Sequence, residues 1–190
     1  MITYSTRCVN SQPRALNNSQ IYDKLSASNT QRKSSTVMMH IVLYEPEIPQ
    51  NCGNIVRTCK STGSVLHLIE PMGFKIDDKK LKRAGLDYWH DMDIRIHKNF
   101  TAFCEANPGV RLWLMTTHGR RFYHQAEYRD GDYLVFGKET AGLPLPVREQ
   151  YSDCCLRIPM VQDNRSLNLS NAVAITLYEA LRQTGFAYLM

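Results

Sequence analysis

From residue 40 onward, short apolar runs alternate with longer segments of helical spacing. "HIVLY" (40–44), "VLHLIE" (65–70), "DIRIH" (93–97), "RLWLMT" (111–116), "DYLVFG" (132–137) and "CCLRIP" (154–159) are short runs that predict buried strands. Between most of them, apolar residues recurring every three to four positions predict helices over 52–62, 77–87, 99–107, 144–151 and 169–184, the last closed by Gly185. Strand and helix in alternation imply an α/β fold, a mostly parallel sheet with helices on both faces. Such sheets bind ligands at the carboxyl ends of their strands, so the segments after strands are where chemistry is sought.

Residues 1–38 do not share this pattern. They are rich in Ser, Thr, Asn and Gln and show little apolar periodicity, which predicts a disordered extension ahead of a single domain over 39–190. The apolar pattern opens at "MMHIVLYEP", where Met38 or Met39 is a natural start; a transit peptide is the other reading of the extension. The formal charge of +5 belongs mostly to this segment. Arg7, Arg14, Lys24, Arg32 and Lys33 against Asp23 give it +4 and leave +1 for the rest, so an acidic partner must be met by local patches.

The six cysteines form no C-x-x-C pair, which favours reduced thiols in a cytoplasmic protein, and the six histidines show no zinc-ligand spacing, so no metal is expected. No apolar stretch approaches the ~20 residues that span a bilayer, and no membrane association is expected.

Three segments after strands are unusually polar. In "EPEIPQNCGNIVRTCKSTG" (45–63), Asn51 and Asn54 flank Gly53, and Arg57 shares a helix face with Asn54. In "FGKETAGLP" (136–144), Gly137 permits close backbone approach to a ligand and Glu139 projects a carboxylate. In "PMVQDNRSLNLSNAVAI" (159–175), Ser170 or Asn171 suffices to cap the helix, which leaves Asn164, Arg165, Ser166 and Asn168 in surplus. None of the ten glycines lies two residues from another, so the G-x-G-x-x-G dinucleotide turn is absent, as is a G-x-x-x-x-G-K-[ST] loop. A nucleotide-like ligand would need another geometry, and three loops after three strands can supply one.

"NCGNIVRTC", "FGKETAGLP" and "RIPM" with "RSLNLSNAVAITLYEALRQ" resemble, in order and spacing, the three signature motifs of the SPOUT-class RNA 2′-O-ribose methyltransferases. "IVLYEPEIPQNCGNI", "IEPMGF", "RAGLDY" and "PMVQDNRSLNLSNAV" resemble more narrowly the family that methylates the wobble cytidine or modified uridine of tRNA. The resemblance covers about residues 39–185 and implies a C-terminal trefoil knot, S-adenosyl-L-methionine as cofactor with S-adenosyl-L-homocysteine as product, and an obligate homodimer whose sites are built by both chains. By the same resemblance, Met115, Gly137, Ile158 and Ser166 match cofactor-contacting positions, with Leu143, Met160 and Leu167 beside them. Arg57 matches the residue that activates the 2′-hydroxyl, and Asn51, Glu139 and Asn168 match its partners.

The RNA expected to bind is a tRNA anticodon stem-loop. "KIDDKKLKRAGLDYW" (75–89) gathers Lys79, Lys80, Lys82 and Arg83, and "HGRRFYH" adds Arg120, Arg121 and aromatics that can stack on unpaired bases, with Arg165 beside the predicted site. A catalytically silent RNA-binding relative is the alternative. A small-molecule α/β enzyme is disfavoured by the missing glycine fingerprint.

Overall fold

The apolar runs are realised as parallel strands in the computed structural model, which describes residues 38–74, 92–162, 166–187 and 189. Among the described residues, β1 (His40–Tyr44), β2 (Val65–Ile69), β3 (Ile94–His97), β4 (Leu112–Met115), β5 (Arg121–Phe122), β6 (Tyr133–Phe136) and β7 (Cys155–Arg157) form one sheet in the order β3-β2-β1-β6-β4-β7-β5. Every pairing is parallel. The helices are α1 (Pro49–Thr62), α2 (Phe100–Ala106), α3 (Leu145–Gln150) and α4 (Leu169–Gln183), and all these elements belong to one unit, Val37–Met190. The helix predicted over 77–87 and residues 1–37 of the predicted extension lie outside the described residues.

Successive strand residues point to opposite faces, and both faces are buried. Ile41, Leu43, Leu66, Leu68, Leu134 and Phe136 pack on one side against Cys52, Ile55, Val56 and Cys59 of α1 and Val173, Leu177, Ala180 and Leu181 of α4. On the other side Val42, Ile69, Leu114, Tyr133 and Val135 meet Phe103 of α2 and Tyr151. The i, i+3, i+4, i+7 spacing on α1 is the stripe that the sequence predicts. That helix begins three residues earlier than expected, because Pro49 occupies a first-turn position where its missing N–H has no helical partner to lose. It ends at Gly63, in the left-handed conformation with φ 66°.

Burial pushes the Cys52 thiol up to about 12 and raises that of Cys59 as well, so neither is a nucleophile at neutral pH. Cys52, Cys59, Cys104 and Cys155 are free thiols, as expected, whereas Cys154 is disulfide-bonded, which departs from that expectation. Among the described residues no helix is long and apolar enough to cross a membrane.

Three histidines form a row across neighbouring strands. His40 Nδ1 lies 3.0 Å from His67 Nε2, and His67 Nδ1 lies 3.0 Å from His97 Nε2. Each neutral imidazole has one N–H and one lone pair, so each contact needs a protonated nitrogen on one ring facing an unprotonated nitrogen on the next, and two adjacent charged rings would break it. Burial, then the nearby Arg95, lowers His40 to about 4 against the opposing Asp93; burial and the adjacent histidines lower the wholly buried His67 to about 3. Above the ordinary value near 6.5 these rings are neutral in both states. As pH falls below it, the unfolded chain takes up protons that the folded one refuses, so stability declines toward pH 4. His67 alone contributes a slope on the order of 1 kcal/mol per pH unit. Urea unfolding at intervals from pH 7.5 to 4.5 should show this fall, shallower by about one proton in His67→Gln; equal slopes in both proteins would exclude the row as its source.

The sheet order places β7 between β4 and β5, although β5 follows β4 directly in the chain. Residues 116–120, which join them, must therefore pass across β7. They do so closely: a Cβ on Gly119 would lie 2.6 Å from the Leu156 carbonyl carbon. Thr116 N–H donates to the Leu156 carbonyl at 2.9 Å.

Candidate cofactor and active site

The carboxyl ends of β4, β6 and β7 converge on a cavity of about 450 Å3. Met115 ends β4 there, Phe136 ends β6 with Gly137 just after it, and Ile158 and Met160 follow β7, so the strand ends contribute apolar walls. Leu143 and Leu167 extend these walls, and Ser166 adds a hydroxyl. All seven predicted cofactor positions (Met115, Gly137, Leu143, Ile158, Met160, Ser166 and Leu167) thus line one cavity, although 51 residues separate the first from the last.

The wall formed by residues 137–143 is a turn closed on itself. Gly142 has φ 66°, and its N–H donates to the Lys138 carbonyl at 2.9 Å. Gly137 is pressed into that turn, where a Cβ would lie 2.1 Å from the Gly142 carbonyl carbon and 2.2 Å from the Leu143 nitrogen. Only glycine fits, and its backbone faces the cavity without a side chain between them. Apolar walls beside exposed backbone amides and a serine hydroxyl suit the adenosyl and methionyl parts of S-adenosylmethionine.

Three of the predicted catalytic residues form a chain of hydrogen bonds across this site. Asn168 Nδ2 donates to Asn51 Oδ1 at 2.9 Å, and Asn51 Nδ2 donates to Glu139 Oε1 at 3.0 Å. Glu139 also accepts from the backbone N–H of Glu47 (2.8 Å) and of Ile48 (3.2 Å). Ile48 is the residue before α1 and offers no side-chain cap, so the Glu139 carboxylate caps that helix from a distant loop, with its charge at the positive end of the helix dipole. Three of its roughly four acceptor positions are occupied by this work.

Asn168 corrects the capping expectation: it, not Ser170 or Asn171, caps α4. Its Oδ1 accepts from Ser170 N–H (2.9 Å), Asn171 N–H (3.4 Å) and Ser170 Oγ (2.7 Å). One amide therefore caps the helix with its oxygen and ties α4 to α1 with its nitrogen. Arg57 stands apart. It is exposed on α1, does not line the cavity, and makes no hydrogen bond or ion pair among the described residues.

Of the predicted RNA-binding residues, Lys79, Lys80, Lys82, Arg83 and Arg165 lie outside the described residues. Arg120 is exposed just before β5. Sequence reasoning missed Thr116, Thr117 and His118, which follow β4 and line the cavity, and Arg148, whose Nε donates to the Leu143 carbonyl at 3.0 Å. The first three were open to the rule that ligands gather where strands end. Arg148 lies on a helix, and nothing in its local sequence marks it.

A parallel α/β domain whose cavity is built by three loops at the strand ends, without a glycine-rich phosphate turn, stands outside the classical dinucleotide folds. Comparison with known families makes the class specific: the chain belongs to the SpoU rRNA Methylase family, whose model matches residues 38–178. It is therefore a methyltransferase. A tRNA (cytidine(34)-2′-O)-methyltransferase of Saccharophagus degradans is 53% identical over 151 residues, covering 79% of this chain and 98% of the relative. The protein of the same name from Escherichia coli K12 is 53% identical over 150 residues, covering 78% and 96%. A solved structure described as concerning 2-OH methylation of C/U34 on tRNA superposes with TM-score 0.75 at 49% identity, covering 80% of this chain and 99% of the other. The SpoU methyltransferase AviRb of Streptomyces viridochromogenes, in complex with AdoMet, superposes with TM-score 0.67 at 25% identity, covering 78% and 58%.

Proposed function

We propose that this protein transfers a methyl group from S-adenosylmethionine to the ribose 2′-oxygen of the wobble nucleotide, cytidine or modified uridine, in the tRNA anticodon loop. The observation that carries the reading is the agreement of near-complete relatives at 53% identity, named for this reaction, with three motif loops that meet at one cavity. The cofactor supplies a methyl on a positively charged sulfur. Gly137, Met115, Ile158 and Ser166 hold it, with Leu143, Met160 and Leu167 excluding water around it. Arg57 acts by stabilising negative charge as it develops on the 2′-oxygen. Asn51, Glu139 and Asn168 set the geometry in which that happens.

Arg57 lies outside its own chain's cavity, which supports a homodimer whose sites combine both chains. Several apolar side chains stand exposed: Ile48 (44%) before α1, Leu167 (37%) at the cavity, and Ile175 (38%) and Tyr178 (46%) on the outward face of α4. Val173, Leu177, Ala180 and Leu181 of α4 are all in the core, so this outward face is the one available to a partner. A monomer at micromolar concentration by sedimentation would overturn the dimer. The crossing of residues 116–120 over β7 supports the trefoil knot. An experimental trace without the knot would overturn it.

RNA meets the β5 edge of the sheet in this reading, at Arg120, Arg121 and Arg157. The Arg157 guanidinium lies 4.8 Å over the Phe122 ring, and none of the three has a carboxylate partner among the described residues. Replacing Arg120 and Arg157 by Ala together should lower the salt dependence of tRNA binding by between one and two phosphate contacts; an unchanged slope would move the RNA elsewhere.

The test of the reaction is incubation of purified protein with labelled S-adenosylmethionine and bulk tRNA from cells lacking the enzyme, followed by mapping of the labelled nucleotide. Label is expected in a 2′-O-methyl nucleotide at the wobble position of cytoplasmic tRNA. Label elsewhere overturns the substrate, and cofactor binding without label in any RNA favours the silent RNA-binding relative.

A further inference from the structure

Residues 138, 139 and 140, one after another in the cavity wall, each grip the segment that follows β1. Lys138 Nζ donates to Glu45 Oε2 at 2.7 Å. Glu139 accepts from Glu47 N–H, Ile48 N–H and Asn51 Nδ2, as described above. Thr140 donates twice to Glu47 Oε2, from its N–H at 3.1 Å and its Oγ1 at 2.7 Å. A cation, a carboxylate and a neutral donor in succession each meet a matching group, and a one-residue slip would set Glu139 against Glu45 or Glu47.

The far side of the segment is held as well. Gly73 N–H donates to the Pro46 carbonyl at 2.9 Å, and a Cβ on Gly73 would lie 2.7 Å from the Glu47 carbonyl oxygen. Glu45 itself has φ 48°, a conformation that a residue other than glycine keeps only when its surroundings impose it. The Thr140 hydroxyl holds the Glu47 carboxyl below its ordinary range, so it is the charged form that is gripped. Yet neither Glu45 nor Glu47 lines the cavity.

We infer that Glu45, Glu47, Lys138 and Thr140 are positioning residues for methyl transfer. They register α1 against the cofactor-binding wall, and so couple occupation of the cavity to the placement of Asn51 and Arg57. This inference deepens the proposed function and rests on it. Asn51 lies in the first turn of α1, and Arg57 is about 9 Å further along the helix. A small tilt at the clasp is therefore carried along the helix to the guanidinium. Glu139, by the same geometry, is a positioning residue and not a catalytic one.

The experiment compares wild type, Thr140→Val, Thr140→Ser and Glu47→Gln. The readouts are kcat and KM for tRNA, cofactor affinity by calorimetry, thermal midpoint, and hydrogen exchange of the Glu47 and Ile48 amides with and without S-adenosylmethionine. In Thr140→Val and Glu47→Gln, kcat should fall by up to about 10²-fold, a larger loss than any in cofactor affinity or thermal midpoint. Thr140→Ser, which keeps the hydroxyl, should recover most of the rate. Cofactor should slow exchange at Glu47 and Ile48 in wild type and fail to do so in Thr140→Val. Unchanged kcat, a loss of kcat matched by equal losses in cofactor affinity and stability, or cofactor protection equal in both proteins would each overturn the inference. A wild type that methylates no RNA would overturn the proposed function alone, because the exchange measurement requires no turnover.

Discussion

Arg57→Ala is expected to abolish methyl transfer, with a rate loss on the order of 10³-fold or more, while leaving the fold and cofactor affinity nearly unchanged. The expectation follows from position. Arg57 is exposed on α1, does not line the cofactor cavity and supports no other described side chain, so its removal unpairs nothing in the core. What it takes away, in the mechanism proposed above, is a cation for the developing 2′-oxyanion. Lysine keeps the charge but lacks the planar fork, so Arg57→Lys should recover only part of the rate. Single-turnover assays at saturating cofactor and tRNA, with calorimetry for the cofactor, check this. Normal turnover in Arg57→Ala would remove the residue from the mechanism, and loss of cofactor affinity would relocate it to the cavity.

Gly137→Ala should have the largest effect on cofactor binding. A methyl group there would lie 2.1 Å from the Gly142 carbonyl carbon, so the turn forming the cavity wall must open. The neighbour in the clash is backbone, with no flexible side chain to move aside, and the destabilisation should be about 3 kcal/mol, a fall in thermal midpoint of roughly 10 °C. Cofactor affinity should drop at least about 100-fold, because the amides of residues 137–143 no longer converge. Gly142→Ala provides the contrast. No atom lies within 4 Å of its added Cβ, and only its φ of 66° resists, at about 1 kcal/mol. Calorimetry and a thermal scan on both variants decide the matter; near-normal cofactor binding in Gly137→Ala would mean that this wall does not hold the ligand.

The motif segments were legible in the sequence because each sits immediately after an apolar run, where a parallel sheet leaves its ligand-binding edge. Met115, Gly137 and Ile158 could be chosen on those grounds together with a family resemblance. The role of Glu139 could not. A carboxylate in a turn looks the same whether it faces solvent or caps a helix 91 residues away in sequence, and only the pairing of β1 with β6 brings it to Ile48. The same holds for Asn168, whose capping oxygen is a local matter but whose amide reaches Asn51 across 117 residues. β5 escaped notice because two residues carry no alternation, and Arg157 because one arginine at a strand end gives no periodic signal.

By itself, the sequence determined the class of sheet, the boundaries of most strands to within a residue or two, and which loops carry the polar chemistry. These follow from local periodicity and propensity, which act over a few residues. Only the tertiary structure decided the strand order, the passage of residues 116–120 across β7, the clasp between residues 45–48 and 138–140, and the position of Arg57 outside its own cavity. Those depend on contacts between residues tens of positions apart, whose energies are set by the packing of whole elements and leave no periodic trace in the chain.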